Sequence, residues 1–351
     1  MMTSWENELS NSITTISELE KYIKPTQSEI KAFENLNIQF KITPHLLHEI
    51  IHHDEDGKLR RQYIPNIDND SSSLKFEEDY LKESSHEVCK NIIKRYPNKV
   101  ILLATNACAA YCQFCTRKRA IDDVSRKCDL TEAYEYLRKN PEINDVVITG
   151  GDPLILKDCE LENIFINLRN IRSIKFIRLN TRIPFVLPDR INGDLINLLK
   201  KHDINYMNIH FEHPCELSEK TIDKCLKLAN NGILLGSQSV LLKNVNDDCQ
   251  TLKNLFSRLL LAKVRPYYLY QCDKITGCQP FYVDPIKGIN LINKIVEELP
   301  GLCVPRFVID APSTMGKITI APNGLLDSNE SSLLLKNYNN NNSFLYEYAD
   351  R

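Results

Sequence analysis

The chain lacks the long apolar runs that would place it in a membrane. None of its hydrophobic stretches approaches the about 20 residues that cross a bilayer. The first residues, Met1-Met2-Thr3-Ser4-Trp5-Glu6, are polar and acidic, without the basic-then-apolar pattern of a secretory signal. We therefore expect a cytoplasmic protein that makes no membrane contact.

A strong charge of one sign is also missing. Lys and Arg together number 44 and Asp and Glu together 46, so the formal net charge is −2. Proteins that bind nucleic acid usually carry a basic excess, so we expect no nucleic-acid partner. The 351 residues show no internal repeat, and 42% of them are hydrophobic, which is enough for the core of one large α/β domain.

Cysteine, in contrast, is abundant. The chain has twelve cysteines and shows no export signal. This combination favours reduced thiols and a metal centre, because disulfides are rare in the cytosol. Cys108, Cys112 and Cys115 have the spacing C-x3-C-x2-C directly after the apolar stretch 100–104. A four-iron cluster takes one cysteine per iron, so three cysteines leave one iron open to a small ligand. An open metal position is typical of reactive sites.

A disulfide and a zinc knuckle are the alternatives for this cysteine loop. Zinc needs a fourth Cys or His close by. Cys89 and Cys128 are available, but their spacing is not typical of a metal site. The spacing therefore favours an iron–sulfur cluster.

Short β-branched runs alternate with amphipathic segments after residue 100, which predicts parallel βαβ units. The predicted strands are 100–104, 145–149, 174–179, 206–210, 233–237 and 264–270, with a further apolar run at 304–309. The predicted helices are 131–139, 160–170, 191–201, 219–230, 248–261 and 285–298. About six such units suit a full or partial barrel, with its chemistry at the carboxyl ends of the strands. A doubly wound open sheet is the alternative.

The first ninety residues are charged and predict helices broken near Pro25, Pro44 and Pro65, with helical periodicity at 27–36 and 44–52. We expect three parts: a helical N-terminal extension (1–90), a barrel carrying the site (91–325) and a short C-terminal tail (326–351). The polar run 68–73 is predicted to be a loop, and the asparagine run 339–342 is predicted to be mobile.

Together with the cysteine loop and Gly150-Gly151-Asp152-Pro153, several unusual strings resemble the lysine 2,3-aminomutase family of radical S-adenosylmethionine (SAM) enzymes. They are Arg95-Tyr96-Pro97, Thr181-Arg182-Ile183-Pro184, His210-Phe211-Glu212-His213-Pro214, Gln238-Ser239-Val240-Leu241-Leu242, Arg265-Pro266-Tyr267-Tyr268, Tyr270-Gln271-Cys272-Asp273 and Asp310-Ala311-Pro312. The resemblance runs from about residue 95 to 320 and implies an α/β fold, a partial (β/α)6-type radical SAM barrel.

The resemblance implies a [4Fe-4S] cluster that binds and cleaves SAM. Phe114 would lie against the adenine of SAM, and Gly150, Gly151 and Asp152 would meet its amino group. Glycines permit close backbone approach, and a carboxylate can accept hydrogen bonds from an ammonium. An ordinary strand-to-helix turn is the alternative for the two glycines.

The resemblance also implies pyridoxal 5′-phosphate (PLP), joined to Lys317 as a Schiff base. Arg95, Tyr96 and Lys99 would hold the phosphate, although cations at a helix C-terminus are a common alternative. Relatives have a run of glycines before the lysine, whereas this chain has Ser313-Thr314-Met315-Gly316.

The substrate implied by the resemblance is L-lysine, converted to β-lysine by 2,3-amino migration. Arg117 matches the clamp for the substrate carboxylate, and Asp273 and Asp310 match the pair of carboxylates that receives the distal ammonium. Arginine would also satisfy two carboxylates. The related enzyme that makes (R)-β-lysine for elongation factor P remains an alternative, as does a cluster protein without mutase activity.

The partners expected from the resemblance are an amino-acid substrate and an electron donor such as flavodoxin or ferredoxin. The chain departs from the family at Glu212, where Asn is common, and lacks the cysteine-bearing tail that some members use for zinc and assembly. We therefore expect no zinc and leave homo-oligomerisation open.

Overall fold

The computed structural model describes residues 2–35, 39–67, 75–121, 128–204, 206–328, 332–336 and 343–347. The polar run 68–73 and the asparagine run 339–342 lie outside these ranges. No described helix combines the length and the apolar character needed to cross a bilayer.

Five short helices precede the large sheet: α1 (Ser4–Ser10), α2 (Ile16–Leu19), α3 (Gln27–Asn35), α4 (Pro44–His52) and α5 (Lys58–Tyr63). The predicted helix 44–52 is confirmed. It begins there because Pro44 occupies the first helical position and the Thr43 hydroxyl accepts a hydrogen bond from the Leu46 N–H at 3.1 Å. Its apolar face, including Leu47 and Ile50, is buried in the same core as the barrel.

A ten-stranded sheet forms the centre of the molecule, with its strands paired in chain order. Its strands are β1 (Glu87–Cys89), β2 (Ile92–Ile93), β3 (Lys99–Thr105), β4 (Asp145–Gly150), β5 (Phe176–Thr181), β6 (Tyr206–His210), β7 (Leu234–Leu241), β8 (Val264–Gln271), β9 (Arg306–Ala311) and β10 (Gly316–Ala321). Strands β3 to β9 are parallel, whereas β1, β2 and β10 are antiparallel additions at the two edges.

The strand order confirms the predicted partial barrel and rules out the doubly wound alternative. A doubly wound sheet reverses its strand order at a switch point, but here every crossover advances in the same direction. The helices between the parallel strands are α6 (Thr131–Lys139), α7 (Asp158–Arg169), α8 (Ile183–Val186), α9 (Gly193–Lys201), α10 (Glu219–Asn230), α11 (Cys249–Leu261) and α12 (Pro285–Glu298). All six predicted helices are present within a few residues of the expected bounds.

Three strands differ from the prediction by two residues or more. Strand β5 covers Phe176–Thr181 instead of 174–179. Strand β7 continues to Leu241 instead of ending at Ser237, because the polar Ser237, Gln238 and Ser239 are all buried and do not end the strand. Strand β9 begins two residues later than predicted, after Pro305, which cannot donate a backbone hydrogen bond to a neighbouring strand.

The segment after β9 folds back on it as β10, with Lys317 directly opposite Asp310. Three further strands, β11 (Leu325–Ser328), β12 (Ser332–Lys336) and β13 (Ser343–Glu347), form a separate antiparallel sheet. The C-terminal segment thus adds regular structure beyond the barrel and places Lys317 at its edge.

Candidate active site

The cysteine loop is held in place by the N-terminal extension. The backbone N–H of Tyr111 donates to the carbonyl of Lys41 at 2.9 Å, and that of Gln113 donates to the carbonyl of Gln62 at 2.8 Å. The Gln113 side-chain amide donates to the carbonyl of Tyr63 at 3.2 Å. Residues 41–63 therefore fix the loop from outside the barrel.

Among the residues that the structure describes, the sulfurs of the three loop cysteines are not gathered as closely as one metal ion would require. Among the described ranges, one group of three ligating side chains has its ligand atoms within 4.8 Å of one another, and the cysteines are not in it. Tetrahedral zinc, with Zn–S distances near 2.3 Å, would hold its sulfurs about 3.8 Å apart. Burial raises the pKa of Cys108 and Cys115, and that of Cys112 to about 12, so the thiolates need a cation to stabilise them. These cysteines fit a multi-iron cluster.

Gly150 and Gly151 are required by a close approach of two backbones. A Cβ at Gly150 would lie 2.2 Å from the carbonyl oxygen of Thr105, and a Cβ at Gly151 would lie 2.1 Å from that of Ala107. Gly150 also has φ +117°, a conformation that L side chains rarely adopt. The end of β4 therefore packs directly on the segment that leads into the cysteine loop.

The Asp152 carboxylate is engaged by its own chain. It accepts hydrogen bonds from the Thr181 hydroxyl at 2.8 and 2.9 Å and from the backbone N–H groups of Arg182 (2.7 Å) and Leu154 (3.1 Å). These bonds join the carboxyl ends of β4 and β5. The hydrogen bonds of the Asp152 carboxylate are therefore with residues at the carboxyl ends of the barrel strands.

Arg182 links the cysteine loop to two buried acids. Its Nη1 lies 3.0 Å from the sulfur of Cys112, and its Nη2 lies 2.5 Å from Glu212 and 3.0 Å from Glu216. Both carboxylates have no exposed side-chain surface. The guanidinium also lies 5.3 Å from the ring centre of Phe114. This residue was not singled out as a site residue, although it stands in one of the recognised strings.

One cavity of about 350 Å³ is lined by interior residues of the barrel strands and by the loops that follow them. Eight of the site residues predicted from the sequence line it: Arg95, Tyr96, Lys99, Phe114, Arg117, Asp273, Asp310 and Lys317. The cysteines, the two glycines and Asp152 do not line it, and Phe114 is the lining residue that belongs to the cysteine loop. Five cationic and three anionic side chains face the cavity, so it favours an anionic ligand.

Lys317 sits on β10 next to an acid that a second cation shares. Its Nζ lies 3.3 Å from Asp310 and 5.7 Å from the ring centre of Tyr270. Arg95 lies 3.0 Å from the same carboxylate and donates to the carbonyls of Ser313 and Ala311. Arg95 lies on Oδ1 of Asp310 and Lys317 on Oδ2, so both oxygens of this carboxylate face a cation. Arg95 thus uses several of its N–H groups to hold the loop before Lys317. A phosphate bound nearby would have to share these donors with the loop carbonyls.

The loop before Lys317 is clamped by Tyr96. The backbone N–H of Lys317 donates to the Tyr96 hydroxyl at 2.9 Å. Gly316 has φ +67°, and a Cβ there would lie 2.5 Å from the same hydroxyl oxygen, so the altered loop keeps the one glycine that its geometry requires. The Lys99 ammonium lies 4.3 Å from the ring centre of Tyr96. Lys99, Lys317 and Tyr96 line the cavity together and form its cationic corner. Gly316 allows the loop to pass close to Tyr96.

Arg117 has a partner within the chain that the sequence did not predict. Its Nε and Nη2 bind the Glu83 carboxylate at 3.1 and 2.7 Å in a bidentate pair, and both side chains face the cavity. Glu83 is buried, and Arg117 lowers its pKa against the effect of burial. A substrate carboxylate would therefore meet the guanidinium through its remaining donors.

Asp273 is the second acid of the cavity. Burial, and then the nearby charge of Asp310, raise its pKa well above the usual range for a carboxyl group. A cation placed between Asp273 and Asp310 would lower the pKa of both carboxyl groups, because it favours their ionised form.

Other cavity residues were missed because they look like ordinary strand residues. Asn180, Gln238 and Tyr270 lie on β5, β7 and β8 and face the interior, and Asn180 bonds to the side chain of Asn208 at 3.0 Å. A polar side chain inside an otherwise apolar run was the signal that could have found them, because interior strand positions are normally apolar.

The chain is similar to known proteins over most of its length. The family model described as Radical SAM superfamily matches residues 102–255, and the one described as Lysine-2,3-aminomutase matches residues 292–347. The first covers the cysteine loop and five of the parallel strands, and the second covers Lys317.

Curated relatives match nearly the whole chain. L-lysine 2,3-aminomutase of Clostridium subterminale is 37% identical over 339 residues, covering 95% of this chain and 82% of that protein. The enzyme of the same name from Fusobacterium nucleatum is 35% identical, covering 95% and 80%. Glutamate 2,3-aminomutase of Clostridioides difficile is 33% identical, covering 95% and 81%.

Proposed function

Because the chain belongs to the lysine 2,3-aminomutase family of radical SAM enzymes, we propose that it converts L-lysine to β-lysine. An aminomutase of this family is an isomerase. The choice of lysine is our proposal, since relatives with the same architecture include a glutamate enzyme.

The family implies three bound groups: a [4Fe-4S] cluster, SAM and PLP. The cluster and SAM supply one-electron radical chemistry, and PLP supplies stabilisation of charge and spin on the amino acid. We propose that Cys108, Cys112 and Cys115 hold the cluster and that Lys317 carries PLP. An electron donor such as flavodoxin or ferredoxin, and a cytoplasmic location, belong to the same proposal.

We assign the phosphate of PLP to the cationic corner of the cavity. The Tyr96 hydroxyl lies 2.9 Å from the Lys317 backbone N–H, the Lys99 ammonium lies 4.3 Å from the Tyr96 ring centre, and Arg95 adds positive charge while it holds the Lys317 loop. A dianion suits this corner, since the cavity carries an excess of cationic side chains.

For SAM, Phe114 is the proposed contact of the adenine, because it lies between the cysteine loop and the cavity. Gly150 and Gly151 place backbone groups next to the loop. Asp152, whose carboxylate ties β4 to β5, holds that edge of the site in position. Its contact with the SAM amino group stays a proposal.

The distal ammonium of lysine is the proposed partner of Asp273 and Asp310. Two acids in one cavity attract a cation and repel the second carboxylate of glutamate. This juxtaposition, in the same cavity as Lys317, is the observation on which the choice of lysine rests. Arg117, oriented by Glu83, is the proposed contact of the substrate α-carboxylate.

Arginine is the second candidate substrate, because its guanidinium would also satisfy two acids. The test is an anaerobic assay of cluster-loaded protein with SAM, PLP and a reductant, offering lysine, arginine and glutamate separately. We expect 2,3-migration with lysine and at least 100-fold lower kcat/KM with glutamate. Turnover of glutamate alone would overturn the assignment of the two aspartates, and preference for arginine would replace lysine as substrate.

A further inference from the structure

The end of helix α4 carries a group of imidazoles that the proposed reaction does not use. The string His48-Glu49-Ile50-Ile51-His52-His53 contains the spacing H-E-x-x-H, which on a helix is associated with zinc. We propose that His48, Glu49 and His53 bind one divalent transition-metal ion, with zinc as the reference ion.

The side chains already converge at the distance that one ion requires. One ligand atom from each of His48, Glu49 and His53 lies within 4.8 Å of the others, and Nδ1 of His48 lies 3.9 Å from Oε1 of Glu49. Tetrahedral zinc with Zn–N and Zn–O distances near 2.0–2.1 Å places its ligand atoms about 3.3 Å apart. Small side-chain rotations would close the remaining gap.

The buried carboxylate of Glu49 points independently to a bound cation. Glu49 is 5% exposed, and its Oε2 is buried with no hydrogen-bond partner. Buried carboxylates normally receive hydrogen bonds or pair with a cation, because an unpartnered one is costly. A pair with His45, whose Nε2 lies 3.7 Å from Oε1, is the ordinary alternative. Both His45 and His48 approach Oε1, so Oε2 has no partner in either contact, whereas a bidentate carboxylate would bring both oxygens onto the ion.

The ligand set differs from that of a peptidase helix. There, the two histidines of H-E-x-x-H bind zinc and the glutamate acts as a base. Here the converging atoms belong to His48, Glu49 and His53, and His52 is not among them. His53 follows the last helical residue with φ −132° and donates its backbone N–H to the carbonyl of Glu49. Two imidazoles and one carboxylate are an established zinc set. Because His48 and His53 are exposed, a fourth position faces solvent.

The metal site lies within the part of the chain that supports the cysteine loop. It lies at the turn between α4 and α5, within the extension whose Lys41, Gln62 and Tyr63 hold the cysteine loop. A metal ion that joins the last turn of α4 to His53 would stabilise the extension that holds the cysteine loop. It would do so without contact with the cavity.

The test is zinc binding by anaerobic, cluster-loaded enzyme after removal of loose metal. We expect one zinc ion per chain by elemental analysis, with an X-ray absorption shell of nitrogen and oxygen near 2.0–2.1 Å and no sulfur near 2.3 Å. Sulfur in the shell would place the ion on cysteines and overturn the proposal, as would failure to bind zinc.

Variants identify the ligands. His48→Ala, His53→Ala and Glu49→Gln should each weaken zinc affinity at least 10-fold, and His86→Ala, an exposed histidine outside the group, should leave it unchanged. Binding that survives Glu49→Gln at full affinity would reveal only a surface histidine pair and contradict the site. Loss of binding in His52→Ala but not in His53→Ala would also contradict it. Since His48 and His53 are exposed, their variants are expected to fold, which melting without zinc verifies.

Discussion

Replacing Arg182 by Met should destabilise the fold far more than the loss of an ordinary ion pair. The guanidinium is the shared cation of Glu212 and Glu216, at 2.5 and 3.0 Å, and neither side chain has any exposed surface. Removing one partner of a buried pair typically costs about 3–5 kcal/mol, because the remaining charge stays buried without compensation. Since two like charges are left here, we expect the free energy of unfolding to fall by about 4 kcal/mol.

The assay is urea unfolding followed by circular dichroism on cluster-free protein under a thiol reductant, so that cluster loss does not contribute. Lys227→Met is the matched control, because it breaks the exposed i,i+4 pair of Lys227 and Asp223 at 2.7 Å, which should have no measurable effect.

A second variant separates charge from packing. Burial and the charge of Glu212 raise the pKa of Glu216, while Arg182 lowers it. Adding Glu216→Gln to Arg182→Met removes one of two like charges, so the double variant should be more stable than the single one. A loss below about 1 kcal/mol in Arg182→Met, or a further loss in the double variant, would refute the reasoning.

Three further predictions address the site. Gly151→Ala should abolish cluster incorporation, measured as iron per chain, because its Cβ would lie 2.1 Å from the carbonyl oxygen of Ala107; a full iron content would contradict this. The raised pKa of Asp273 means that the folded state binds the Asp273 proton more tightly than the unfolded state does. The contribution of Asp273 to the free energy of unfolding is therefore present below the unfolded pKa of 3.8 and is lost as pH rises through the folded pKa. Asp273→Asn should therefore raise the melting temperature at pH 7, change little near pH 3 and lower kcat/KM for lysine; unchanged melting at pH 7 would contradict it. Glu83→Gln should raise KM for lysine by about tenfold with the cluster intact, because Arg117 loses the charge that orients it; an unchanged KM would contradict this role.

The fold could be predicted in large part because local signals agree with the tertiary structure. β-branched runs alternating with amphipathic segments predict the parallel strands and all six helices between them. Strand β7 was predicted too short because Gln238 and Ser239, which follow the predicted end, are polar, and a local pattern does not reveal that the fold buries them.

The candidate site was predictable as a set of residues but not as a set of contacts. Eight predicted residues line one cavity, yet the pairing of Arg117 with Glu83 joins segments 34 residues apart. The bonds of Arg95 to the loop near Ser313 join segments 218 residues apart. Such pairings depend on how the extension and the C-terminal strands pack on the barrel, which periodicity and motif spacing do not report.

The most direct test of the account is to find where PLP attaches. Cluster-loaded protein is incubated with PLP without substrate, reduced with borohydride, digested and analysed by mass spectrometry. Lys317, 3.3 Å from Asp310 at the edge of the cavity, should carry the pyridoxyl group, and Lys317→Ala should lose it. Labelling of another lysine such as Lys99, or wild-type labelling of Lys317→Ala, would contradict the claim that this cavity is the active site.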